Sequence, residues 1–181
     1  MIAAILATGP SMSQQVADSV KDRFTVVAVS DAYRLAPWAD ALVSQDKAWW
    51  KCHPQALDFP GRKFSGGEVH DVERVTPDGL ITTGTNSGLL AMHVAVKYLG
   101  ARTLLLLGFD MGGTHFFGSH PAPLRNTSPD RFRAFHRQFE HYKPKGISIF
   151  NCTSGSALKA YPAQYGQPMN CKTGYVFSAS A

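Results

Sequence analysis

Short, wholly apolar runs alternate along this chain with stretches whose apolar residues recur every three or four positions. Ile2 to Ala7 is the first such run, and a Gly9-Pro10 turn ends it. Ser11 and Gln14 then stand in the S-x-x-Q capping-box relation, which predicts a helix start there and a helix over about 13–22. Phe24 to Val29 is short and β-branched and reads as a buried parallel strand ending at Ser30-Asp31. Ala41 to Val43 is a third strand, ending at Ser44-Gln45-Asp46, and a short helical piece with Trp49 and Trp50 follows. Residues 53–82 show no clear period; Gly61, Gly66-Gly67 and Pro77-Asp78-Gly79 mark turns, so loops and short strands are expected.

The second half is sharper. Thr83 to Gly88 leads into a helix with Leu89, Met92, Val96 and Leu99 on one face, closed by Gly100. Thr103 to Leu107 is a buried strand that runs into Gly108-Phe109-Asp110, and a loop rich in Gly and His spans Met111 to Asn126. Ser128 caps a helix with Pro129 at its first position, and Phe132, Phe135, Phe139 and Tyr142 recur there at helical spacing, as a core stripe does. Ile147 to Phe150 is a last strand, followed by Asn151 to Gly155 and a short helix to about Tyr161. The βαβ alternation predicts a single Rossmann-like α/β domain over 1–161, its sheet mainly parallel with helices on both faces. Residues 162–181, with Pro162, Gly166, Pro168 and Gly174, read as an irregular C-terminal tail, free to pack on a neighbouring subunit of a homo-oligomer or to stay loose.

In such a sheet the ligand lies beyond the carboxyl ends of the strands. Those ends carry Thr8-Gly9-Pro10-Ser11, Ser30-Asp31, Ser44-Gln45-Asp46, Thr85-Asn86-Ser87, Asp110 and Asn151 with Thr153 and Ser154. All are small or hydrogen-bonding residues, and three of the ends open into helix N-termini, where free amides and the helix dipole favour an anion. The array suits a nucleotide, although the same residue types are also good helix caps. Above it lie His115 and His120. A loop histidine, whose unperturbed pKa is near neutrality, is a natural general base, and Arg125 or Arg131 can hold phosphate oxygens.

Composition narrows the classes. Of 181 residues 44% are hydrophobic and 17% charged, which excludes a disordered or fibrous chain. The net charge of +5 suits an anionic ligand, and permits a nucleic-acid partner without requiring one. Cys52, Cys152 and Cys171 are odd in number and match no metal spacing, which argues against a disulfide scaffold and for a reducing compartment. The apolar start is too short for a signal-peptide core, and no run approaches the ~20 residues of a membrane helix, so a cytoplasmic location with no membrane partner is expected. A zinc site from His115, His120, His136 and His141 matches no known ligand spacing. Neither a nucleophile elbow nor a Walker loop occurs.

Ala7-Thr-Gly-Pro-Ser11, Asn86-Ser-Gly88 opening a helix that ends in Leu99-Gly100, and Leu107-Gly-Phe-Asp110 resemble the bacterial sialyltransferases of glycosyltransferase family 42. They also resemble a related uncharacterised family that includes archaeal 6-hydroxymethylpterin pyrophosphokinases. The resemblance runs from residue 1 to about 161 and rests on the order of motifs. It implies that Thr8 stands where the transferases have a donor-contacting asparagine, that Asp31 and Gln45 match two further asparagines, and that Asn86-Ser87-Gly88 matches a donor-site Thr-Ser-Gly. His115-Phe-Phe-Gly-Ser-His120 is similar to the segment that holds the family's general base. Two features depart from the pattern: Met111-Gly-Gly113 stands where tyrosines hold the donor phosphate, and the acceptor lid is shorter.

The expectation is therefore a nucleotide- or nucleotide-sugar-binding protein, leaning to a metal-independent glycosyltransferase-like enzyme that requires no cofactor. Gly9 to Ser11, Asp31, Gln45, Asn86 and Ser87 would hold the donor, His115 or His120 would take the acceptor's proton, and Arg125 or Arg131 would offset leaving-group charge. One alternative is a diphosphokinase of the hydroxymethylpterin type, with Asp31, Asp46 and Asp110 on Mg²⁺. Others are a non-catalytic protein that sequesters a nucleotide, and an enzyme modifying nucleic acid.

Overall fold

A computed structural model describes every residue except 83 and 165–181. Seven strands form one parallel sheet: β1 (Ile2–Leu6), β2 (Thr25–Val29), β3 (Ala41–Ser44), β4 (Arg62–Ser65), β5 (Glu73–Arg74), β6 (Thr103–Leu107) and β7 (Ser148–Asn151). Their spatial order is β5-β4-β3-β2-β1-β6-β7. The chain steps outward from β1 to β5, then returns to the other side of β1. The switch point lies between β1, where Ile2 pairs with Thr103 and Leu6 with Leu107, and β6.

The two faces divide each strand by parity. Ala3, Ile5, Val27, Val29, Val43 and Phe64 face one core, which α3 (Ser87–Lys97) and the aromatic side of α4 (Pro129–His141) cover. Ala4, Leu6, Val26, Ala28 and Leu42 face the other, with Met12, Ala17, Val20, Trp49, Trp50 and Phe59. Strands buried on both faces have no polar side to show, hence the continuous apolar runs of β1 and β6. Leu104, Leu105 and Leu106 are each buried, and such burial contributes roughly 1.5–3 kcal/mol per side chain.

Several boundaries differ from the sequence expectation. Helix α1 is short (Gln14–Asp18), and its cap is Ser13, whose Oγ accepts from Val16 N at 3.3 Å. Ser11 does not cap it; its hydroxyl donates instead to Asp110 Oδ2 at 2.8 Å. Ser128 and Asn86 cap α4 and α3, each accepting a backbone N–H three residues on. The unreadable stretch holds a 3-10 turn (Pro54–Asp58), β4 and the edge strand β5. No helix forms between Cys152 and Tyr161; the chain is bent there into turns fixed by its own polar side chains. Asn151 Nδ2 donates to Leu158 O at 3.0 Å, and Ser156 Oγ donates to Phe109 O at 2.5 Å. The first residues of the expected irregular tail run beside β7, with Asn151 N donating to Pro162 O at 2.8 Å and Gln164 N to Asn151 O at 2.9 Å. The rest of that tail, Cys171 included, lies outside the described residues. No helix among those described is long and apolar enough to cross a membrane.

Candidate functional site

Beyond the carboxyl ends of β1, β2, β3 and β6 lies a cavity of about 530 Å³. Helix α2 (Lys47–Cys52), the start of α3, the loop after β6 and the inner face of α4 complete its wall. Of the residues expected to hold a ligand, Thr8, Gly9, Gln45, Asn86, Ser87 and Gly88 line it, as do His115, His120, Arg125 and Arg131. Residues from five separated segments thus meet at the switch point.

Local chemistry fixes the floor. Gly9 lies so close to Asp110 that any side chain there would run into its carboxylate and into Gly108 O. Gly108 has φ +74° and turns the chain immediately after β6, a conformation in which glycine carries no steric cost. Ser30, at φ +45°, and Met111, at φ +60°, hold the same left-handed region without being glycine, and both line the cavity. Ser30 Oγ is 3.0 Å from Ser44 Oγ, and Gln45 N donates to Ser87 Oγ at 3.0 Å, which joins the β3 end to the α3 start. Gln138 ties α4 to the same point, its Oε1 accepting from Asn86 Nδ2 at 3.0 Å. Thr85 is 2% exposed and lines the cavity with its hydroxyl unpartnered.

The histidine pair sits above this floor. Thr8 Oγ1 and His115 Nδ1 are 3.0 Å apart, and Phe116 N donates to Thr8 O at 3.0 Å. The rings of His115 and His120 are 4.5 Å apart, and Phe117 stacks on His115 at 4.9 Å. His120 is held through its backbone N, which donates to Asn126 Oδ1 at 2.8 Å, while its Nδ1 is buried without a partner. Burial pushes both imidazoles below the ordinary histidine value, with the proximity of His120 adding to the effect on His115. Both are neutral at pH 7 and available to accept a proton.

Asp46, Ser30, Ser44 and Thr85, also read at the strand ends, line the cavity, and the other sequence candidates lie outside it. Asp31 is 2% exposed and is taken up by Trp49 Nε1 at 2.7 Å, His53 Nε2 at 3.3 Å and Arg34 at 3.6 Å. Asp110 accepts from both the backbone N and the hydroxyl of Ser11. Thr153 Oγ1 accepts from Phe109 N at 2.9 Å and donates to Leu106 O at 3.3 Å, in the core. Pro10 and Ser154 are exposed. Asp31, Asp46 and Asp110 do not converge, and no three His, Cys, Asp or Glu among the described residues form a metal-holding group.

Sequence reasoning missed Lys47, Trp49, Phe132 and Phe135, all of which line the cavity. Lys47 follows directly on the β3 end and was readable from that position. The two phenylalanines read as core, and they are core only in part: α4 turns Phe139 and Tyr142 fully inward, leaving Phe132 and Phe135 half-buried on the cavity wall.

Fold and site together define a doubly wound α/β protein whose cavity at the topological switch point mixes polar and apolar residues and carries an excess of basic ones. No protein-family model, curated protein or solved structure matches this chain.

Proposed function

We propose that the cavity binds a nucleotide or nucleotide-sugar and that the protein is a glycosyltransferase-like enzyme acting on an acceptor hydroxyl. The observation that carries this reading is the meeting of neutral imidazoles and unpaired cations on one cavity at the strand ends. We assign the base to His120, because His115 Nδ1 is engaged by Thr8; His120 Nδ1 is buried without a partner among the described residues, which leaves the ring's other nitrogen to take the proton. In the step proposed, His120 takes the hydroxyl proton as the acceptor oxygen bonds to the anomeric carbon. The bond from that carbon to the phosphate oxygen breaks, and the nucleotide leaves with the electron pair. Lys47, Arg125 and Arg131 offset its charge. The motif resemblance to the family 42 sialyltransferases agrees with this reading.

A non-catalytic, sequestering role is the second reading. No tyrosine is among the described residues lining the cavity, so the phosphate handling implied by the resemblance is not reproduced. Thermal melting against nucleotides and nucleotide-sugars in EDTA, followed by mass analysis of each stabilising ligand, separates the two. At about 100 times its dissociation constant a ligand adds ~2.7 kcal/mol of stability. Slow cleavage of the sugar supports the enzyme, an unchanged ligand supports the sequestering protein, and no stabilisation by any nucleotide overturns both.

A further inference from the structure

Four of the cations among the described residues are paired with carboxylates: Arg62 with Glu73, Lys97 with Asp78, Arg34 with Asp31 and Arg133 with Asp130. The cavity gathers three that are not. Lys47, Arg125 and Arg131 line it, and none makes a salt bridge or a side-chain hydrogen bond to another of the described residues; Arg131 covers the Phe135 ring at 5.7 Å. Asp46 is the one carboxylate among the described lining residues, so the wall carries two positive charges in excess when the histidines are neutral. Uncompensated like charges around one concavity repel one another, and an anion bound among them removes that cost. The cations come from two places, Lys47 from the start of α2 and the arginines from the loop after β6 and the first turn of α4.

Taking the cavity as a nucleotide site, we propose that it selects a nucleoside diphosphate, free or as its sugar ester, over a monophosphate. A monophosphate brings a comparable charge on a single phosphoryl group, whereas a diphosphate spreads its negative charge over two adjacent ones. Its two centres give Lys47 and the arginines separate partners, and guanidinium forks fit phosphate oxygens in pairs. The unpartnered Thr85 hydroxyl, deep in the same cavity, supplies a hydrogen bond to the uncharged part of the ligand.

Calorimetric titration in EDTA tests this. The probes are UDP, CDP, ADP and GDP, each beside its monophosphate, with inorganic pyrophosphate as the anion alone. Lys47→Met, Arg125→Gln and Arg131→Gln change exposed side chains, and circular dichroism verifies their fold. The expected result is one base whose diphosphate binds at least about tenfold tighter than its monophosphate, the scale of one charge-assisted hydrogen bond. The cation variants should erase most of that ratio. Equal binding of mono- and diphosphate, or a ratio untouched by all three variants, overturns the diphosphate inference and leaves nucleotide binding standing. Pyrophosphate binding as tightly as every nucleoside diphosphate overturns the nucleoside component. Failure of every nucleotide to bind overturns the functional reading itself.

Discussion

Thr8, at the tip of β1, and His115, on the loop after β6, are joined side chain to side chain at 3.0 Å across 107 positions of sequence. The bond orients a ring that burial keeps neutral, and the carbonyl of Thr8 pins the next residue's N–H as well. Thr8→Val keeps the shape and removes the hydroxyl. It should cost about 0.5–1.5 kcal/mol in urea unfolding. The Thr8 backbone, which raises the His115 pKa, stays in place, so the ring's titration, read by NMR, should not fall with the loss of the hydroxyl.

Three half- or fully buried histidines set an acid limit. His93, His115 and His120 are all held below the free value of 6.5, burial being the largest cause for each. The unfolded chain therefore takes protons more readily than the folded one, so stability is complete above about pH 6.5 and falls as pH drops below it. Urea midpoints measured from pH 7.5 down to 5.5 should decline from near 6.5, and His93→Gln should flatten the curve. A midpoint that rises on acidification would contradict this assignment.

Asp31 shapes the site from behind. It lies outside the cavity, yet its charge raises both His115 and His120, and Arg34, beside it, covers the Phe117 ring at 5.7 Å. Asp31→Asn should cost about 1.5–3 kcal/mol, the scale of a hydrogen bond to a charged group. Both histidine pKa values should move down together. Loss of stability with the two titrations unmoved would reduce Asp31 to a purely structural residue.

Gly9 admits no side chain. Gly9→Ala drives a methyl into Asp110 and Gly108 O and should destabilise by about 1–3 kcal/mol, measured as a lowered melting temperature.

Thr153 separates support from contact. Thr153→Val leaves Phe109 N buried without an acceptor and should cost about 1–3 kcal/mol. Because Thr153 does not line the cavity, the dissociation constant of whichever nucleotide binds should stay within twofold of wild type by calorimetry, roughly the precision of a 0.4 kcal/mol difference.

The central strands were legible because burial on both faces leaves only one kind of sequence, an uninterrupted apolar run such as Thr103 to Leu107. Strand β4 and the edge strand β5 were not, since Arg62, Lys63, Glu73 and Arg74 charge that side of the sheet and interrupt the hydrophobic signal. Reading the strand ends pointed to cavity residues such as Thr8, Gly9, Gln45, Asn86 and Ser87, and the loop after β6 added His115, His120 and Arg125. It could not tell which polar side chains turn inward to other protein groups. Asp31 goes to Trp49 and Thr153 to Leu106, and those partners are 18 and 47 positions away. Ser11 misled for the same reason: its spacing from Gln14 fits a cap, but its hydroxyl donates to Asp110, 99 positions away, and Ser13 accepts at the helix start.

The seam between β1 and β6 has a temporal side. Every register pair along it joins residues about a hundred positions apart, Ala4 with Leu105 among them. A nascent chain that has emerged only as far as α3 therefore shows β1 with one row of backbone groups unsatisfied, an edge open to the wrong partner. Gly9 and Thr8 wait beside that edge with neither Asp110 nor His115 in place. Sheet closure and site assembly are one event, so no partly synthesised form of this protein carries a working half of its cavity.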